Sequence, residues 1–169
     1  MQSKITQLVV LVNLVLVLAF FNWSVKEKEE ILTDGELLLL KLAPVDPRSL
    51  MQGDYMQLSY VISQAQEMDK LKSRGYAVIK VDAQQVAHLV RYQSGKEPLQ
   101  KGEQLLKYFK GEWSLNLGAE SYFFEEGQAK QFEKAEYGGL KVDADGNSVL
   151  VGLYDAKLNQ IMPDREKIK

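Results

Sequence analysis

Hydrophobic positions follow two regimes along this chain. From Ile5 to Trp23, "ITQLVVLVNLVLVLAFFNW", apolar residues occupy every face of a helical wheel, and Asn13 is the lone polar residue between Leu8 and Phe21. A helix of this length rises about 28 Å, close to the hydrocarbon thickness of a bilayer. A soluble core helix keeps a polar side, which this segment lacks. A cleavable signal peptide places small residues after its apolar stretch, where this chain has Phe20, Phe21, Asn22 and Trp23. The pattern predicts a retained membrane anchor, with Trp23 at headgroup level. Asn13 stands mid-span, as a tolerated polar residue or a hydrogen-bonding contact to another helix.

From Ile31 onward, short runs rich in β-formers alternate with turn signals. "ELLLLKLA" (Glu36 to Ala43), "YMQLSYVI" (Tyr55 to Ile62), "YAVIKVD" (Tyr76 to Asp82) and "VAHLVRY" (Val86 to Tyr92) read as strands, the last two as a hairpin. "QAQEMDKLKSRG" reads as a loop or short helix, and "QSGKEPLQKGE" as a connection. "QLLKYFKG", "EWSLNLG" and "ESYFFEEG" give further strands. Within "EEGQAKQFEKAEYGG" the period changes, and Ala129, Phe132 and Ala135 share one helical face. "LKVDADGNSVLVGLY" closes the chain with two strands around an Asp145-Gly146 turn. The expected fold is mainly β: an antiparallel barrel or sandwich with one short docked helix, preceded by a single transmembrane helix.

The 169 residues divide into an anchor (1–25), a juxtamembrane linker (26–34) and one β-rich domain (35–169). Lys4 and the amino terminus precede the span with no acidic residue near them, so the N-terminus is expected in the cytoplasm and the domain outside it. A net charge of -2 leaves no electrostatic footprint for nucleic acid. The absence of cysteine removes disulfides, thiolate metal sites and thiol nucleophiles.

Candidate chemistry is sparse. His88 is the single histidine, so any Ser-His-Asp triad would have to use it; inside "VAHLVRY" it reads as a strand-face residue. "DADGN" (Asp143 to Asn147) resembles the start of a calcium loop. The sixth and twelfth positions hold Ser148 and Tyr154 where such a loop needs Gly and Glu, so a hairpin turn is expected and no metal. Glu125, Glu126, Glu133 and Glu136 have the spacing of a solvated helix face. A sharper alternative pairs Ser49 as nucleophile with Lys80 as base, since a desolvated lysine activates a serine. "RSLMQGDYMQL" followed by a strand bearing that lysine loosely resembles type I signal peptidases and self-cleaving repressors, although the proline of the signal-peptidase serine box is missing. A third reading, a lipid- or glycan-binding protein, would use Tyr55, Tyr122 and Phe123 as pocket walls.

The stretch "DPRSLMQGDYMQLSY" (Asp46 to Tyr60) contains "GDYMQLSY", which matches letter for letter the pattern that names the GDYXXLXY family of bacterial membrane-anchored proteins. The resemblance continues through "GAESYFFEEGQAKQFEKAEYGGLKVDADGNSVLVGL" and the N-terminal span. It implies a bacterial inner-membrane protein with an extracytoplasmic domain and a multi-pass membrane protein as partner. It implies no cofactor and no agreed reaction. The residues it marks as candidate binding positions are Pro47, Arg48, Gly53, Asp54, Tyr55, Leu58, Tyr60, Tyr122, Glu126 and Gly127. Alternation along the strand sends Met56, Leu58 and Tyr60 to the core, and Tyr55 and Gln57 to the opposite face. Arg48 is then free to pair with Asp54, Glu126 or a ligand carboxylate.

Overall fold

The computed structural model of the chain describes residues 2–44 and 55–163. Its first element, α1 (Gln2–Asp34), is one uninterrupted helix, so residues 26–34 continue the anchor as helical turns. The side chains from Ile5 to Trp23 are exposed on all sides, and this helix is long and apolar enough to cross a membrane. Ile31, 2% exposed, is the one buried side chain among the described residues of α1. The helix stops at Gly35, whose N–H donates to the Ile31 carbonyl at 3.0 Å. The Lys141 ammonium donates to the carbonyls of Leu32 (2.5 Å) and Thr33 (3.3 Å), placing a cation at the negative end of the helix dipole.

Among the described residues nine strands follow: β1 (Glu36–Lys41), β2 (Tyr55–Gln57), β3 (Arg74–Val81), β4 (Ala87–Gln93), β5 (Glu103–Lys110), β6 (Leu115–Asn116), β7 (Ser121–Phe123), β8 (Tyr137–Val142) and β9 (Ser148–Tyr154). They form antiparallel sheets in the orders β1-β8-β9, β4-β3-β5-β6 and β2-β7. Among the described residues no barrel closes, and the arrangement is sandwich-like. Ala77, Val78 and Ile79 of the central strand β3 are fully buried, as an apolar run covered on both faces must be. Leu38, Leu40, Leu106, Tyr108, Phe132, Leu140 and Leu153 join Ala77 and Ile79 in one core cluster. The sheets are tied by backbone bonds: Leu39 N–H to the Gln85 carbonyl, and Lys107 N–H to the Gly146 carbonyl, both 2.8 Å.

Several elements are shorter than the sequence pattern predicts: "EWSLNLG" keeps only the two residues of β6 and "ESYFFEEG" only the three of β7. The expected strand Tyr55 to Ile62 ends at Gln57 and gives way to a 3-10 turn at Val61–Ser63. The Ser63 hydroxyl donates to the Tyr60 carbonyl (2.8 Å) and accepts from the Tyr60 N–H (3.3 Å), a local bonding pattern that competes with the β ladder. The helix expected in Glu125 to Gly139 is a single turn, α2 (Ala129–Phe132), anchored by the buried Phe132.

Three turns share one construction. In "VDAQQV", "VDADGN" and "YDAKLN" the aspartate Oδ1 accepts the backbone N–H groups two and four residues on: Asp82 from Gln84 and Val86, Asp143 from Asp145 and Asn147, Asp155 from Lys157 and Asn159. The residue three places on has positive φ in each: Gln85 (65°), Gly146 (81°) and Leu158 (63°). Gly146 alone adopts it without a Cβ penalty. Replacing the exposed Gln85 by glycine is therefore expected to raise stability by about 0.5–1 kcal/mol, and Asp143→Ala to lower it by about 1–2 kcal/mol. Thermal melting of the two variants checks both signs.

The connection from β4 to β5 is held by Arg91, whose guanidinium is bidentate to Glu103 (both bonds 2.9 Å) and also donates to the Pro98 carbonyl (2.6 Å). The Glu103 side chain is 1% exposed, and Oε2 also accepts the Gln100 N–H at 2.9 Å. The Arg91 guanidinium, then that amide, hold the Glu103 carboxyl down at about 2. A carboxylate depressed in the folded state stabilises above its unfolded pKa, and the contribution is lost as pH falls through the folded value. Glu103→Gln is accordingly expected to melt lower than the parent at pH 7, with the difference shrinking as pH drops from 4.5 towards 2. Melting curves across that window test it.

Candidate functional site

The described end of the Asp46 to Tyr60 stretch pairs with β7, part of the second matching block. Pro47, Arg48, Ser49, Gly53 and Asp54 lie outside the described residues. β2 pairs with β7 in the register Tyr55↔Phe123, Met56↔Tyr122, Gln57↔Ser121, so alternate side chains separate to opposite faces. Met56 is 3% exposed and Tyr122 half-buried on the inner side, where Tyr122 meets the Phe132 ring edge-on at 5.1 Å and Phe124 stacks on it at 5.4 Å. On the outer side Tyr55 and Phe123 pair at 5.6 Å between centroids, and Phe123 is 73% exposed. Tyr55, Tyr122 and Phe123 therefore do not line one pocket.

Leu58 and Tyr60 are interior residues. Leu58 is 3% exposed, and its N–H donates to the Glu120 carbonyl at 2.7 Å. Tyr60 is fully buried and its phenol donates to the Ala119 carbonyl at 2.6 Å. Burial, then the Glu120 carboxylate, push the phenol far above its ordinary range, so it stays protonated and donating. The ring lies against Gly138, where a Cβ would come within 2.9 Å of Tyr60 Cε1. That close approach explains why β8 carries a glycine opposite Leu40. The expectation that Met56, Leu58 and Tyr60 point inward holds. Glu126 is exposed in the turn before α2, and Gly127 follows it with φ of 83°.

Two clefts border this region. One, of about 510 Å³, is lined by Gln57 to Ser59, Ser63, Ser114 to Asn116 and Glu120. Two of its polar groups are engaged in structural bonds: the Ser63 hydroxyl bonds the Tyr60 backbone, and the Glu120 carboxylate accepts the Leu117 N–H. The other, of about 170 Å³, lies between Leu42–Pro44, Met56–Ser59 and Glu133 with Ala135, and is mostly apolar.

The catalytic candidates on other strands stand apart from these clefts. Lys80 is exposed on β3, opposite His88 of β4 and Glu103 of β5. A lysine base needs a desolvated pocket, and Lys80 is in solvent. Ser49, the other half of that pair, lies outside the described residues. His88 is also exposed, and its Nε2 lies 2.9 Å from Asp82 Oδ2. The hydrogen bond to His88, followed by the backbone amide of Val86, lowers the Asp82 carboxyl below its ordinary value. The Asp143 carboxylate is occupied by its own turn, with Oδ2 accepting from the Asn147 amide at 2.7 Å. Among the described residues, no group of three or more His, Cys, Asp or Glu side chains is arranged to hold a metal ion.

The family model described as GDYXXLXY protein matches residues 17–153. The chain belongs to the GDYXXLXY family. The match begins inside the apolar helix and runs to β9, so the family unit includes the junction between span and domain. No curated protein and no solved structure matches the chain. Within the family motif, Leu58 and Tyr60 are core residues, while Tyr55 contributes to an outer aromatic pair.

Three site features escape sequence reasoning: the Tyr60 contact with Gly138, the Phe132 aromatic cluster, and the Arg91–Glu103 clip. Only the repeated "DA" of the three turns leaves a readable trace.

Proposed function

We propose that the chain is an assembly subunit of the bacterial inner membrane, anchored by α1 with its N-terminus in the cytoplasm, whose extracytoplasmic β domain engages a multi-pass membrane protein. The observation that supports this reading is the coupling of span to domain. α1 runs without a break from the apolar segment into the domain, where Ile31 is buried and Lys141 holds the last carbonyls. A tethered enzyme acting on soluble substrates gains nothing from such a mount, whereas a subunit that must meet a membrane partner at fixed height and azimuth does. The family motif fits this role: its described residues build the domain around Tyr60 and leave an aromatic pair on the outside.

Because the chain has no cysteine, single-cysteine variants report cleanly. A cysteine replacing the exposed Glu112 is expected to react with an impermeant maleimide in cells with an intact cytoplasmic membrane, and one replacing Ser3 is not. The opposite labelling overturns the orientation. Purification in mild detergent is expected to retain a multi-pass protein; loss of every membrane partner removes the proposal.

A further inference from the structure

Asn13 lies eight residues from Ile5 and ten from Trp23, at the middle of the span. Asn22, near the headgroup boundary, satisfies its amide on the helix itself by donating to the Leu18 carbonyl at 2.8 Å. The Asn13 amide forms no hydrogen bond with any described residue. In hydrocarbon no water can replace that partner, so the group calls for one on a neighbouring helix.

The rest of the helix restricts which neighbour. Ile31 follows Asn13 by eighteen residues, five turns at 3.6 residues per turn, so both side chains leave the same face of α1. Glu27 and Asp34, which with Ile31 line the groove between α1 and the domain, are on the same side. The domain therefore overhangs the Asn13 face, meeting α1 about 12 Å beyond Trp23. A second copy of this chain fits badly there. Two copies inserted the same way and joined at Asn13 would both have their domains on the inner side. Even at a crossing of about 40° their helices are only about 20 Å apart at the level of Ile31. A domain of this size has a radius of gyration of about 14 Å, so the two would overlap.

We infer that the Asn13 face receives a transmembrane helix of a different protein. That helix presents a hydrogen-bonding group at mid-membrane depth and turns back at the surface beneath the β domain, as the helices of a multi-pass protein do. This inference rests on the proposed function and adds the docking face to it.

The test uses a photoreactive amino acid placed singly in the full chain in native membranes. Val9 and Val17 flank Asn13 on its own face, while Leu11 and Val15 lie opposite. The expected result is an adduct with one membrane protein from Val9 and Val17 and none from Leu11 and Val15. Asn13→Leu, which makes the span more apolar and so preserves insertion, is expected to lower that adduct roughly three- to tenfold, and Asn13→Gln to retain most of it. Equal adducts from both faces, an adduct unaffected by Asn13→Leu, or an adduct that is a second copy of the chain overturns the inference. A partner that co-purifies with the parent yet ignores Asn13→Leu removes this inference alone. A parent that co-purifies with no membrane protein removes the function on which it rests.

Discussion

Tyr60→Ala is expected to lower the stability of the domain by about 3–5 kcal/mol, the usual cost of truncating a buried aromatic. Tyr60 is among the largest fully buried side chains of the core, and its ring fills the space that Gly138 leaves open. Removing it empties the seam between the motif and β8, and the backbone of β8 has no side chain at position 138 with which to fill the void. Tyr60→Phe keeps the ring and removes the phenol, leaving the buried Ala119 carbonyl without its donor. The expected cost is about 1–3 kcal/mol. Denaturation of the full chain in detergent measures both. If the two variants lose the same amount, the hydrogen bond rather than the packing is the main contribution. If neither loses stability, the last residue of the family motif has a role other than building the core.

Gly35→Ala is expected to damage the mount between helix and domain. A Cβ at Gly35 would fall well inside contact distance of the Ile31 carbonyl, which is backbone and cannot swing away, and would sit 3.2 Å from the Val142 amide. Relief requires the last turn of α1 to loosen, displacing Ile31 from its buried position and Leu32 and Thr33 from Lys141. A cost of about 1–3 kcal/mol is typical of such overpacking. Limited proteolysis is the discriminating readout: trypsin is expected to cut after Lys26 or Lys28 several times faster in the variant, while the β domain stays resistant. An unchanged rate would mean that α1 and the domain are not coupled through this turn.

Much of the fold was legible because its signals are local. The all-round apolar character of Ile5 to Trp23, the β-rich runs at Tyr76 to Tyr92 and the Asp145-Gly146 turn each depend on neighbours in sequence, and each is found in place. The failures arise where tertiary bonding outweighs pattern. "YMQLSYVI" alternates as a strand should, yet beyond Gln57 the Ser63 hydroxyl bends the chain into a 3-10 turn. Phe132 carries an apolar helical stripe, but only one turn forms around it because its ring is held by Tyr122 and Phe124 from the preceding segment. The candidate site was legible as a motif and not as a role. Letters such as Leu58 and Tyr60 look the same whether they face a ligand or a core, and only the contacts with Glu120, Ala119 and Gly138 decide between the two. Lys80 shows the converse: a strand lysine suggests a base on paper, and its exposure on β3 leaves it without the desolvation that role demands.

The assembly role is tested most directly by the mass and composition of the complex extracted from native membranes in mild detergent. The expected result is this chain together with a larger multi-pass membrane protein in a fixed ratio, surviving dilution and gel filtration. A single copy of the chain alone, folded and carrying only detergent and lipid, would contradict it.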